Sequence, residues 1–554
     1  MSNTRDLAEL VNTTMVFDSV AEVVASTSLS VGMTISTLGY YTRGDGGGND
    51  YEIVTAATGT VDGGSYINLA THQAKGLFTG YAINVKQFGA TGDGATDDST
   101  PIQSAINYVE GLSGTSSPTV VSEANITVTL SGDLYAIASG LTITKNINFT
   151  GGSLVALSGF TGTFMLTISA GAERAVISDI DFDGGLEELV AGTPSTWSRY
   201  ADIISCSAYR VVIKDVLGIH FPNYGLRMIE TQECSVTNVL MREWAFSEQG
   251  TTYGTLRTAK AFSVEGADGK FVSCVGAQSL YTLYVSGALN MFTSCHFYNG
   301  ASTDTTEDVN VFLDNTENTM LTGCYFDNGS LYIKDSFNHN ITGGHFQRTG
   351  TATNTSGIKT DTAAVTDLVS GLSVVGCTFN GTYTNGEIQF SGTGSYSDDL
   401  FKQINWIGNI RSDGNPAWYE AKFSGASFID LGSSTHQASG TSFDIKSNKA
   451  LRISADYDAN SAPTDSTIIL STDAVDRWTV ESSGAFLPFA DNTYVIGDST
   501  HRAFNVFSNR YTIMDGVGAP ATVAGHATIY IDSVDGDLKI KFGDGVIKTI
   551  AVDT

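Results

Sequence analysis

The chain has 554 residues, and 58 acidic against 29 basic side chains give it a formal net charge of −29. So acidic a surface repels nucleic acid and anionic membranes at long range. No apolar run approaches the roughly 18 residues of a membrane helix, so neither nucleic-acid binding nor membrane insertion is expected.

Sixty glycines and only eight prolines indicate many strands joined by turns, over a length that implies several domains. Residues 1–80 read as a separate N-terminal unit. Its start, MSNTRDLAEL, lacks the basic region and apolar core of a secretion signal. An amphipathic stretch, DLAELVN, leads into VGMTISTLGYYTRGDGGGNDYEIV, where a glycine cluster interrupts strand-like text. Residues 81–119 carry a helix. Asp97 and Asp98 are candidate N-caps ahead of Pro101, and Ile102, Ala105, Ile106 and Val109 make one apolar face. Such a helix plugs the open end of a stack of coils, covering its core and its unpaired strand edges.

Residues 120–415 contain those coils. FTSCHF (Phe292–Phe297), LTGCYF (Leu321–Phe326), ITGGHF (Ile341–Phe346) and VVGCTF (Val374–Phe379) repeat one pattern, with looser copies from Val176, Val212, Val236 and Phe271. Apolar or small residues at alternate positions predict strands, and returns every 20 to 36 residues suit a parallel β-helix with variable loops. Cys274, Cys295, Cys324 and Cys377 share one place in the repeat, which predicts an inward stack of free, buried thiols made in a reducing cytoplasm. From 416 to 554 the repeat gives way to short strands. ATIYIDSVDGDLKIKFGDGVIKTIAV alternates around DGD and GDG turns, as a hairpin or meander does.

The segment VKQFGATGDGATDDSTPIQSAI resembles the opening motif of the pectate-lyase-like superfamily through Phe88–Ala90, Gly92–Gly94, Asp97, Asp98, Gln103 and Ala105. The block before it resembles the particle-side domain of bacteriophage tailspikes and tail fibres. Asp491–Ile513 resembles a segment near the C-termini of phage tail proteins. The resemblance implies an all-β protein built on a right-handed parallel β-helix. It implies attachment to a phage tail or baseplate protein through residues 1–80, and a homotrimer held by residues 416–554. It also implies a place in the virion tail after assembly in the host cytoplasm, with a bacterial surface polysaccharide as partner. The opening motif caps lyases, hydrolases and inactive stalks alike, so it speaks to fold and not to activity.

Candidate site residues come from aligning the return strands LRMI, FSVE, LYVS, VFLD, LYIK and IQFS. One outward column then reads Arg227, Ser263, Tyr284, Phe312, Tyr332, Gln389. Its neighbour reads Ile229, Glu265, Ser286, Asp314, Lys334, Ser391. Tyr284, Phe312 and Tyr332 form an outward aromatic strip that a sugar or a trimer neighbour would cover. Glu265 and Asp314 sit two rungs apart, about 9.6 Å between backbones. That is near the range of about 6.5–9.5 Å for inverting glycosidases and beyond the 5–5.5 Å of retaining ones. Arg227 and Lys334 are placed to make one of the two a base.

Asp181 and Glu243 are the rival acids, in VISDIDF and REWAFSEQ, with Trp244 beside Glu243 as a sugar-binding aromatic. His296, Tyr325 and His345 stack on another outward column, a trio that could bind sugar, or a metal if a third ligand joined them. Two histidines without a fixed carboxylate do not define a metal site, and no cofactor motif is present. The expected function is hydrolysis of host polysaccharide by paired carboxylates. A tail fibre that only binds glycan and a polysaccharide lyase are the alternatives.

Overall fold

A computed structural model describes residues 14–80, 82–112, 126–188, 197–243, 259–298, 309–348, 356–362, 369–381, 383, 387–392, 401–402, 405–407, 409–411, 468–472, 475–480, 486–488, 518–522 and 524–552. The stretch DLAELVN, Trp244 and the block Asp491–Ile513 lie outside the described residues. The chain divides into two compact units, Met1–Phe443 and Asp444–Thr554.

In the first unit, five strands between Met15 and Gly76 form a small sheet. Its own core contains Val23, Ile35, Tyr51, Ile53 and Ala74. The carboxylate of Asp45 organises the glycine cluster by accepting from the backbone N–H groups of Tyr40, Tyr41, Thr42 and Gly47.

The opening motif has a physical reason at each position. Ser99–Leu112 is helical, with Ile102, Ala105, Ile106 and Val109 fully buried in the core of the coils. The two aspartates divide their work. Asp97 accepts from the Ser99 N–H at 3.0 Å and from the Ala138 N–H at 3.0 Å, which ties the helix start to the next strand. The Asp98 side chain turns back to take the N–H groups of Thr91 at 2.6 Å and Gly92 at 3.0 Å. Gly92, at φ +70°, occupies the left-handed region with the Tyr135 ring close against it, so glycine fits there. Gln103 closes a two-way bond with the backbone of Thr142, at 2.9 and 2.8 Å.

The coils stack as parallel strands on three faces. One coil runs through Met291–Thr293, His296–Tyr298 and Val309–Asp314. The next runs through Met320–Thr322, Tyr325–Asp327 and Ser330–Lys334, and each strand pairs with its counterpart. This is a parallel β-helix. The hexapeptide repeat proves to be two strands with a corner between them. In FTSCHF the inward residues are Phe292, Cys295 and Phe297, a step of three and then of two. The step of three crosses a residue in left-handed conformation, and that residue recurs coil after coil as Asp179, Asp215, Asn238, Ser273, Ser294, Gly323, Gly343 and Gly376. Asn, Asp and Gly suit that region.

Inside the corner, Cys274, Cys295, Cys324 and Cys377 are buried and free, as are Cys206 and Cys234. Phe326, Phe346 and Phe379 stack beside them with ring centroids 4.4 and 4.7 Å apart. In the second unit, Ala527–Ile531, Leu538–Phe542 and Ile547–Ala551 form an antiparallel meander.

Candidate functional site

The return strands run in continuous register. Arg227 pairs with Ser263, Ser263 with Tyr284, Tyr284 with Phe312 and Phe312 with Tyr332. A strand absent from the sequence alignment, Ile358–Thr362, comes next. It places Lys359 beneath Tyr332 and Asp361 beneath Lys334, ahead of Gln389 and Ser391. Its second inward residue is Thr360 where an apolar residue is expected, so the apolar frame skips it.

The aromatic strip is less exposed than expected. Tyr332 is buried, and its ring stacks on Phe312 at 4.9 Å. Phe312 meets Tyr284 edge-on at 5.6 Å, and Tyr281 packs beside both. The rings cover one another, so the outer face offers partial ring surface rather than a bare strip.

Two carboxylates are held on this face. Glu265 accepts two parallel bonds from Arg227, Nε to Oε1 at 2.8 Å and Nη2 to Oε2 at 3.0 Å, and a third from the Ser263 hydroxyl at 3.0 Å. Burial alone would raise its pKa, but the charge and hydrogen bonds of Arg227 outweigh burial and hold it below the usual carboxylate range. One position before Asn315, Asp314 accepts the Tyr284 hydroxyl at 2.8 Å. Burial, then this hydrogen bond and the Asp314 charge, push the Tyr284 phenol up. Val264 pairs with Val285 and Val285 with Leu313, so Glu265 and Asp314 stand two rungs apart across Ser286.

Sequence reasoning missed Lys260. Its Nζ sits 3.3 Å from the centroid of the Tyr284 ring and 5.9 Å from that of Tyr224, and burial lowers its pKa. The Arg227 guanidinium lies 4.7 Å over the same Tyr224 ring, and Lys359 lies 4.7 Å over Tyr332. Lys260 aligns with Tyr224 and Tyr281, a third column that the alignment of the second and fourth strand positions did not include.

The rival acids are elsewhere. Asp181 is exposed on the second strand of an early coil, and pairs there with Leu217. Glu243 is fully buried, with its carboxylate accepting from the Ala259 N–H at 3.3 Å. Among the described residues, no group of three His, Cys, Asp or Glu side chains is arranged to hold a metal ion.

Residues 82–242 match a family profile described as rhamnogalacturonase A/epimerase, pectate lyase-like, which covers the opening motif and the first coils. Solved structures of similar architecture include the enzymatically active domain of tailspike protein 2 from bacteriophage CBA120. It has a TM-score of 0.46 and 14% identity, over 73% of this chain and 57% of that one. Tailspike gp49 of Acinetobacter baumannii bacteriophage Fri1, a capsular polysaccharide depolymerase, has a TM-score of 0.47 and 13% identity over 73% of this chain and 76% of its own. The A-module of the Azotobacter vinelandii mannuronan C-5 epimerase AlgE4 has a TM-score of 0.40 and 15% identity, over 62% and 100%. The chain thus spans little more than half the length of the first of these.

Proposed function

We propose that the chain is a bacteriophage tailspike-type receptor-binding protein that recognises and hydrolyses a bacterial surface polysaccharide on the return-strand face of its β-helix. The observation that carries this reading is the joint placement of Glu265 on Arg227 and Asp314 on Tyr284, beside stacked rings and cations. Glu265, kept ionised, is the base. Three of its roughly four acceptor positions are filled, and one on Oε2 is left for a water. Asp314 is the acid. Its Oδ2 takes the Tyr284 hydroxyl, and Oδ1 carries the proton to the leaving oxygen once substrate covers it. The backbones of the two acids stand two rungs, about 9.6 Å, apart, which is nearer the wide carboxyl spacing of an inverting enzyme, with its intervening water, than the narrow spacing of a retaining one.

Arg227, Lys260, Lys334 and Lys359 stand on this face against Glu265, Asp314 and Asp361, so it is close to charge-balanced on a chain of net charge −29 and suits a neutral or mildly charged sugar. In this reading residues 1–80, which include a sheet with its own core, attach to a phage tail or baseplate protein. Three copies form the working spike on the virion.

A second reading, a fibre that binds without cleaving, is favoured by one observation: both carboxylates already hold hydrogen bonds without substrate. A lyase that uses Tyr284 as its base is disfavoured, because its surroundings push the phenol up and not down. The test is a reducing-sugar assay on surface polysaccharides, with product NMR. Glu265→Gln and Asp314→Asn are each expected to lower the rate by about 10²–10⁴ while leaving binding in place, and the product should be inverted at the anomeric carbon. Full activity in both variants would remove these residues from the chemistry. Binding without cleavage by the unaltered protein would establish the passive fibre.

A further inference from the structure

A different face of the helix carries a second polar ladder. His296, Tyr325 and His345 lie in register on successive coils, and two residues further along so do Tyr298, Asp327 and Gln347. Earlier coils hold Leu217, Leu240 and Val275 in the first of these columns, so the change to polar rings is confined to the later coils. The rings of His296 and Tyr325 stack at 4.5 Å and 13°, and Tyr325 meets His345 at 5.1 Å. Stacked this way, the rings use their faces on each other and turn their edges outward. His296 Nε2 and Asp327 Oδ1 are closed off from water, and neither has a hydrogen-bond partner. A buried polar atom without a partner costs about 1–3 kcal/mol, and a ligand recovers that cost only where the side chain turns to bring the atom to the surface.

We propose that this face is a second saccharide-binding site, where a glycan lies along the rungs and hydrogen-bonds to the edges of His296, Tyr325 and His345 and to Asp327 and Gln347. The groups suit hydroxyls that both donate and accept. Burial keeps the His296 imidazole from protonating easily, so one ring nitrogen donates and the other accepts. Burial also pushes the Asp327 carboxyl up, against the pull of His296 and His345, towards a form that donates. A metal does not fit. His296 and His345 stand two rungs apart, about 9.6 Å, whereas one zinc ion needs both nitrogens within about 2.1 Å. A second copy of the chain is a poorer occupant, because the core of a protein interface is apolar and these columns carry no aliphatic side chain from His296 to His345.

The inference rests on the protein being a glycan binder, but not on the return-strand face being catalytic. An array of capsular and O-antigen oligosaccharides identifies a glycan bound by the full chain, and calorimetry then measures its affinity for variants. Tyr325→Phe removes a hydroxyl and keeps the ring ladder, and Gln347→Ala removes an amide that also accepts from Asn380 Nδ2 on the next coil and donates to the Arg348 carbonyl. Each is expected to weaken binding about threefold to tenfold and the pair multiplicatively, with the melting temperature unchanged in Tyr325→Phe and slightly lowered in Gln347→Ala, which also loses its bond with Asn380. Unchanged affinity in the double variant, with Tyr284→Ala still weakening binding, would overturn the second site and leave the first standing. Unchanged affinity with a smaller assembly in solution would assign the face to contact between copies. No binding of any array glycan by the unaltered protein would overturn both sites.

Discussion

His339 is buried among the coils, where its Nδ1 accepts from the Thr319 N–H at 3.2 Å and its Nε2 has no partner. Burial drives its pKa down to about 4, whereas an unfolded imidazole titrates near 6.5. Between those values the unfolded chain binds more protons than the folded one. Stability therefore rises with pH across that window, and is lost as pH falls through it. Glu265 acts in the same direction lower down, since a carboxyl with a depressed pKa contributes stability above its unfolded value and loses it as pH falls through the folded one. Urea unfolding at a series of pH values should thus show stability falling from about pH 6.5 towards 4. His339→Gln should make that slope shallower, and an unaltered slope would mean that His339 protonates without cost. The shift of His339 was not legible from residue type, whereas a cation holding one of the two carboxylates ionised was, though not which one. The register of Glu265 follows from the apolar frame of FSVE, but its diagonal partner Arg227 sits one rung up and in the other column, a pairing that needs side-chain directions.

At the level of the element, the coil is a corner plus two short strands, and its strength lies in like residues stacked on like. Phe346 lies between Phe326 and Phe379 at 4.4 and 4.7 Å, nearly parallel to both, and is almost fully buried. Replacing it with Ala removes two ring contacts and leaves a cavity in a stack that the neighbouring coils hold open. The expected loss is about 3–5 kcal/mol by chemical denaturation, against less than about 0.5 kcal/mol for Thr293→Ala on the exposed side of a corner. Equal losses would mean that the Phe stack does not carry the coil. The stack was legible, because Cys and Phe return at fixed places in the repeat. The corner was hidden, since a left-handed Ser or Asp looks like any polar residue in a strand. The capping helix was legible from its apolar face, but its seal was not. Phe78, from before the helix, stacks on Phe88 at 5.4 Å and packs on Tyr108 at 4.7 Å, so the boundary between N-terminal unit and coils is shared.

For the whole molecule, the C-terminal meander bears on assembly. Tyr530 is its buried residue, while Ile529, Ile547 and Ile550 stay roughly half exposed at 52%, 44% and 52%. Three strands need a covered apolar face to be stable, and a single copy of these strands leaves much of that surface wet. In the proposed spike, three-fold association would cover it. The charge opposes this, since each copy brings −29 and like charges repel across the distance of a Debye length, about 10 Å at 0.1 M salt. Light scattering at micromolar concentration should therefore give three times the chain mass at physiological salt. The trimer should hold less well as ionic strength is lowered, which is the reverse of an assembly held by ion pairs. Ile529→Lys with Ile550→Lys adds charge to the surface that needs covering, so this double variant should run as a monomer. Its coils should stay folded, because their core contains neither residue. A monomeric unaltered protein, or a double variant that remains a trimer, would locate the assembly elsewhere than in this meander.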